Sequence, residues 1–211
     1  MKRLLFSLAL MLCLIPAASA KGGWTDPYKG YDETVFMDMD LEQNLTSPVV
    51  PDKEHAAVSR YMKRLGTDLA KHGYTVDMMR DDEVVLVTVP TDQLFLPNDT
   101  LLAPDAPARL TRLTALLKTP DKYKVVYAVH TDNTGSPSYN MELSHRRNNS
   151  IYDWMLSQVS DDVIIIPYEM GDTDPIEPND SRRGRAENRR LEIYLVPGPK
   201  MITDAHKGLL K

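Results

Sequence analysis

His130-Thr131-Asp132-Asn133-Thr134-Gly135, followed shortly by Asn140-Met141-Glu142-Leu143-Ser144-His145-Arg146-Arg147, is the stretch on which the fold turns. Just before it, Tyr123 to Val129 is an apolar, β-branched run that reads as a buried strand. That strand leads into a loop carrying a carboxylate, Asp132. Beyond Gly135 the spacing predicts a helix. At about 100° per residue, Leu143, Arg147, Ile151 and Trp154 share one narrow sector with Asn140 beside them, and His145 points the opposite way. A guanidinium therefore stands on the inward stripe where a leucine is expected. An unpaired charge is costly to bury, so Arg147 calls for an anion. From the pattern alone two outcomes stay open: Asp132 and Arg147 pair with each other, or the two charges grip one small zwitterionic guest.

Working outward from that segment, the chain shows a small set of further elements. Glu54 to His72 has helical spacing (Ala57, Val58, Tyr61, Met62, Leu65, Leu69), with Gly73 placed as a C-terminal cap. Glu83 to Val89 is a β-branched run stopped by Pro90. A connection from Asp92 to Pro107 precedes a second helical stretch, Ala108 to Lys118. After the central helix, Val163 to Pro167 and Leu191 to Val196 read as strands, separated by a polar stretch over 171–188. The order is strand, helix, strand, helix, strand, strand, preceded by one extra helix. It implies an α/β fold in the sense of an α+β two-layer sandwich, with helices on a mixed sheet.

The two ends read differently. Lys2-Arg3, the apolar run Leu4 to Ile15 and Ala18-Ser19-Ala20 form the pattern of a secretory signal peptide over 1–20, too short to span a membrane. Cys13 is the single cysteine and lies within that run, behind Met11 and Leu12 rather than the small residues of a lipoprotein signal. A mature chain beginning at Lys21 would hold no disulfide. Residues 21–53, rich in Gly, Pro, Asp and Tyr, read as a flexible leader, residues 54–82 as a helix and connector, and residues 198–211 as a tail without pattern. The chain has 25 basic against 30 acidic residues, and two of the basic ones are Lys2 and Arg3. So acidic a balance disfavours nucleic acid and anionic membrane as partners. No apolar run near twenty residues follows the signal, so no transmembrane segment is expected in the mature chain.

With these residues in hand, residues 83–197 resemble the OmpA-like peptidoglycan-binding domain. Three blocks in order carry the likeness: His130 to Gly135; Asn140, Leu143-Ser144 and Arg147, similar to the family's N-x-x-L-S-x-x-R; and Gly184-Arg185-Ala186-Glu187-Asn188-Arg189-Arg190-Leu191-Glu192-Ile193. The resemblance implies a β-α-β-α-β-β core that binds peptidoglycan noncovalently and anchors an envelope protein or the outer membrane to the wall. It implies a periplasmic place and no catalysis. Asp132 and Arg147 would hold the free end of diaminopimelate in the stem peptide, an amino acid with ammonium and carboxylate on one carbon. Asp132 would take the ammonium and Arg147 the carboxylate in a planar fork that lysine cannot reproduce. Thr134 and Asn140 match further lining positions, and Asn98 another. In this resemblance Asn188 and Arg189 are mainly structural. The chain departs from the family pattern at Val129, at Asn148 and at Glu169-Met170-Gly171-Asp172.

Blander readings stand beside these. Asn140 and Thr134 have the chemistry of turn and helix caps. The arginines over 182–190 alternate with Glu187 and Glu192, which suits an internally paired stretch better than a nucleic-acid patch. Asp172 to Asp180 lacks the spacing of a calcium loop, the five histidines form no metal pair, and no cofactor is implied. Adjacent Ser144 and His145 diverge on a helix and make no catalytic pair. Two rival classes are a structural envelope subunit with a degenerate pocket and a cell-wall hydrolase; the latter needs a nucleophile with a base, or a metal, and neither assembles here. Trp24, Tyr28, Tyr31 and Phe36 suggest that the leader docks on another envelope protein.

Overall fold

The computed structural model describes residues 33–160 and 163–211, so the signal-peptide reading lies outside the described residues. Five strands build one mixed sheet in the order β1-β2-β5-β3-β4: β1 Thr75–Met79, β2 Val84–Pro90, β3 Tyr123–His130, β4 Ile165–Gly171 and β5 Arg190–Pro197. Only β3 and β4 pair in parallel. The other pairs are antiparallel. The helices are α1 Glu33–Met37, α2 Leu41–Thr46, α3 Asp52–Lys71, α4 Ala106–Leu116, α5 Pro137–Leu156, α6 Arg182–Asn188 and α7 Pro199–His206. The expected mixed sheet with helices is present, and α6 stands between β4 and β5, where two strands in succession with a polar stretch between them were expected.

Central position explains why β3 and β5 carry apolar residues on both faces. Every residue of both strands is buried, as a strand covered on two sides requires. Strand alternation separates the faces. Tyr127 donates from Oη to the Asn148 carbonyl on α5, and the Tyr123 and Tyr61 hydroxyls meet at 2.9 Å, so α3 and α5 share one face. Val58, Met62 and Leu69 of α3 are buried there. Gly66 permits the close approach, since a Cβ would come within 2.9 Å of Met78 Sδ and 3.3 Å of Val76 Cγ1. Fully burying side chains such as Val125 or Ile193 contributes about 1.5–3 kcal/mol each.

Three expectations are revised. Residues 33–53 are not a structureless leader. α2 begins with a capping box in which Asp40 and Gln43 satisfy each other's backbone amides, and Phe36 and Asn44 are fully buried. Lys124, on the far side of β3 from α5, donates from Nζ to the Asn44 carbonyl (2.7 Å) and Oδ1 (3.0 Å) and stacks on the Phe36 ring at 4.4 Å. Tyr168 donates to the Met39 carbonyl and accepts from Asn44 Nδ2, both at 2.6 Å. The helices α1 and α2 thus form a third, partial layer. Second, the connector contains β1, an edge strand with half-exposed alternation, and Arg80 just beyond it donates to the Leu45 and Pro48 carbonyls. Third, the tail holds α7, which buries Met201 and Ile202. Among the described residues no helix is long and apolar enough to cross a membrane.

Candidate functional site

The site lies where β3 ends. Thr131 donates its amide to the Gly171 carbonyl at 2.7 Å, and Ser144 Oγ accepts the Gly171 amide at 3.0 Å. Gly171 has φ +52, and a Cβ on it would press to 3.2 Å from the Met141 amide nitrogen of α5. This glycine therefore fixes the distance between β4 and α5, and through α5 the placing of Arg147. Gly135, at φ +112, makes the turn into α5. Ser136 then caps the helix by accepting the Tyr139 amide at 3.2 Å, with Pro137 at the first helical position.

Asp132 is almost buried, at 7 % exposure. Its Oδ1 accepts the Thr134 amide at 2.7 Å, an Asx turn, and its Oδ2 accepts from Arg189 Nη1 at 2.7 Å. Burial works against the charge, but the hydrogen bonds from Thr134 and Arg189 outweigh it and hold the carboxyl below its usual range. A carboxylate accepts at about four lone-pair positions, so room remains for an additional donor. Arg189 also grips Asp92 bidentately, Nε at 3.1 Å and Nη2 at 2.8 Å. Those bonds to Asp92 first, and to Asp132, raise the Arg189 guanidinium above its ordinary value.

Arg147 is 5 % exposed and sits at the far side of the same cleft. Its Nε donates to the Asp99 carbonyl at 2.9 Å, and its guanidinium lies 4.9 Å from the centre of the Phe95 ring. Among the described residues no carboxylate comes within ion-pair distance, and neither Nη has a hydrogen-bond partner. Burial lowers its affinity for the proton, although a guanidinium stays charged. Asn140 is buried, and its Nδ2 has no partner. These donors converge on a cleft of about 460 Å³.

All five residues singled out in the sequence (Asn98, Asp132, Thr134, Asn140 and Arg147) line this one cleft. Asp132 and Arg147 do not pair with each other; the internal partner of Asp132 is Arg189. Arg189 is thus a cleft residue, not a structural one alone. Asn188 does hold structure: its Oδ1 accepts the Ile176 and Glu177 amides at 2.9 and 3.0 Å. Sequence reading also missed Asp92, Phe95, Leu96 and Tyr139 on the cleft wall. Only the position of Arg189 inside the Asn-Arg-Arg block signalled it, because its partner Asp92 is remote in sequence. The arginine stretch is internally paired as expected, with Arg183 on Glu187 and buried Arg190 on Glu192 and Asp174. The inward face of α5 is turned slightly from the expected one: Ser144, Asn148 and Met155 are buried, and Leu143 and Trp154 sit at its margin.

The protein is thus an α/β domain with a mixed sheet and a charged cleft at the end of β3. Residues 94–189 match the model of the OmpA family. The chain is 31 % identical over 114 residues to outer membrane protein A of Bordetella avium, covering 54 % of this chain and 59 % of that one. It is 34 % identical over 86 residues to the peptidoglycan-binding protein ArfA of Mycobacterium tuberculosis, covering 41 % of this chain and 26 % of ArfA. Among solved structures, the cell wall anchor of the T6SS from Pseudomonas aeruginosa superposes with a TM-score of 0.53 at 26 % identity, covering 66 % of this chain and 96 % of the anchor. The chain spans about three fifths of the length of the first curated relatives it matches.

Proposed function

We propose that this domain binds peptidoglycan noncovalently, without catalysis, by gripping the free amino-acid end of diaminopimelate in the stem peptide. The observation that carries the reading is the mismatch across the cleft. Among the described residues Arg147 keeps both Nη nitrogens unpartnered, and across the cleft stands an ionised, preorganised Asp132. That arrangement complements a group with a carboxylate and an ammonium on one carbon. The carboxylate takes the Arg147 fork, with Asn140 Nδ2 as a further donor. The ammonium takes the open lone pairs of Asp132, and Thr134 and Asn98 close the sides. Relatives described as peptidoglycan-binding and as a cell wall anchor support the same class of ligand.

The protein would then hold an envelope partner or the outer membrane to the wall from the periplasm, with avidity along the polymer compensating a small contact. Docking of the leader on another envelope protein now excludes Phe36, which is buried under Lys124. Trp24, Tyr28 and Tyr31 lie outside the described residues. Deleting residues 21–32 should abolish recovery of envelope partners in a pull-down, and unchanged recovery would end that idea.

Co-sedimentation with purified sacculi tests the main reading. The full chain should pellet, and Asp132→Ala and Arg147→Ala, checked as folded by circular dichroism, should stay in the supernatant. Folded variants that pellet like the parent would refute it, and release of soluble wall fragments would point to a hydrolase instead.

A further inference from the structure

A second cleft of about 420 Å³ adjoins the first, and the two share Asp92 and Arg189. The ion pair between those residues is the partition, standing at the end of the sheet where β2 finishes and β5 begins. Beyond it the walls are of another kind. Pro90, Ile176 and Ala186 present apolar surface, and Thr75 and Thr88 come from the paired strands β1 and β2. Ile176 is 53 % exposed on a loop that Asn188 fixes by accepting two of its amides. The charged groups of the second cleft are already engaged: Glu187 with Arg183, and Arg190 with Glu192 and Asp174.

We propose that this second cleft is an extended subsite for the peptide that continues from the gripped amino-acid head, and that it receives small apolar side chains of alanine size. The inference rests on the proposed reading of the first cleft and extends it. Three observations favour peptide over sugar. The lining has no aromatic ring on which a pyranose could stack. Its ionic groups are satisfied within the protein and leave few free partners for a set of hydroxyls. Its continuity with the first cleft across a single ion pair places it within reach of the residue next to a bound head group. The ligand would cross over the Asp92–Arg189 pair, whose apposed charges give polar atoms for the connecting amide.

The test is calorimetric titration of the full chain with three probes: diaminopimelate, a peptide in which its other end is extended by alanines, and a disaccharide-bearing muropeptide without those alanines. Burying one or two methyl-sized groups should make the alanine peptide bind about tenfold tighter than diaminopimelate. In Ile176→Asp that advantage should vanish while diaminopimelate binds unchanged. Ala186→Leu, which fills the cleft without adding charge, should do the same and guards against misfolding of the first variant. The subsite is refuted, with the first-cleft reading intact, if the alanine peptide gains nothing over diaminopimelate, if both variants keep the gain, or if only the disaccharide adds affinity. If neither diaminopimelate nor its peptide binds the parent chain, the reading of the first cleft and this extension fall together.

Discussion

In the proposed grip, Arg147 and Asp132 take opposite roles because their neighbours leave them in opposite states. Among the described residues Arg147 has one backbone acceptor and one aromatic face, and its outer nitrogens remain free. Asp132 has a donor on each oxygen. Arg147→Lys should therefore weaken binding of diaminopimelate at least about tenfold, since a point charge cannot reproduce the fork; calorimetry measures it, and unchanged affinity would show that the fork is unused. The pH dependence has a definite sign. The folded pKa of Asp132 lies below its usual value, so its charge is present above the ordinary carboxylate range and is lost only as pH falls through the lower, folded value. Binding should persist through mild acid and fail below it. Behind the site, Glu192 is held at about 2: burial opposes its charge, but His130, Arg190 and Tyr194 surround it. Its contribution to stability is complete above the ordinary glutamate value and disappears as pH falls toward 2. Glu192→Gln should cost on the order of 3 kcal/mol in denaturant unfolding at neutral pH and flatten the acid limb of the stability curve.

At the level of elements, the placing of α5 depends on Gly171. An alanine there combines a left-handed backbone with a Cβ against the Met141 amide. Gly171→Ala should lose roughly 1–2 kcal/mol of stability and, by shifting α5, weaken retention on sacculi. Loss of stability with full retention would separate β4 from the positioning of Arg147. How much could be read beforehand followed from periodicity and burial. β2, β3, β5, α3 and α5 have long apolar patterns and stand near their expected positions. β1 was illegible because an edge strand buries little: Thr75-Val76-Asp77-Met78-Met79 alternates between exposed and half-buried and carries an aspartate at its centre. α1 and α2 are too short to show a period, although Asp40 and Gln43 were a local start signal. The cleft was legible where strand end and helix face converge, and illegible where Asp92 and Arg189, brought together only by the pairing of β2 with β5, enclose it.

For the molecule as a whole, residues 33–53 of the leader are part of the folded body, latched by a lysine with no carboxylate partner among the described residues. Burial, and repulsion from Arg80, bring Lys124 down to about 7. An unfolded lysine keeps its proton up to about 10.5, so the unfolded state binds more protons between the two values and stability should rise with pH across that window. Lys124→Met should abolish this rise in a comparison of thermal unfolding at pH 7 and pH 9; an identical rise in both proteins would show that the lysine is not responsible. The cleft lies at the end of the sheet near β3, β5 and α5, with the latch at the other end of β3. Removal of the latch should therefore affect stability before it affects the site. The central claim is that the free guanidinium and the preorganised carboxylate hold one zwitterion between them, and a crystal structure with diaminopimelate bound tests it most directly. The expected result is a ligand carboxylate on both Nη atoms of Arg147 and its ammonium on Asp132; a ligand seated elsewhere, or an Arg147 fork left empty at saturating ligand, would contradict it.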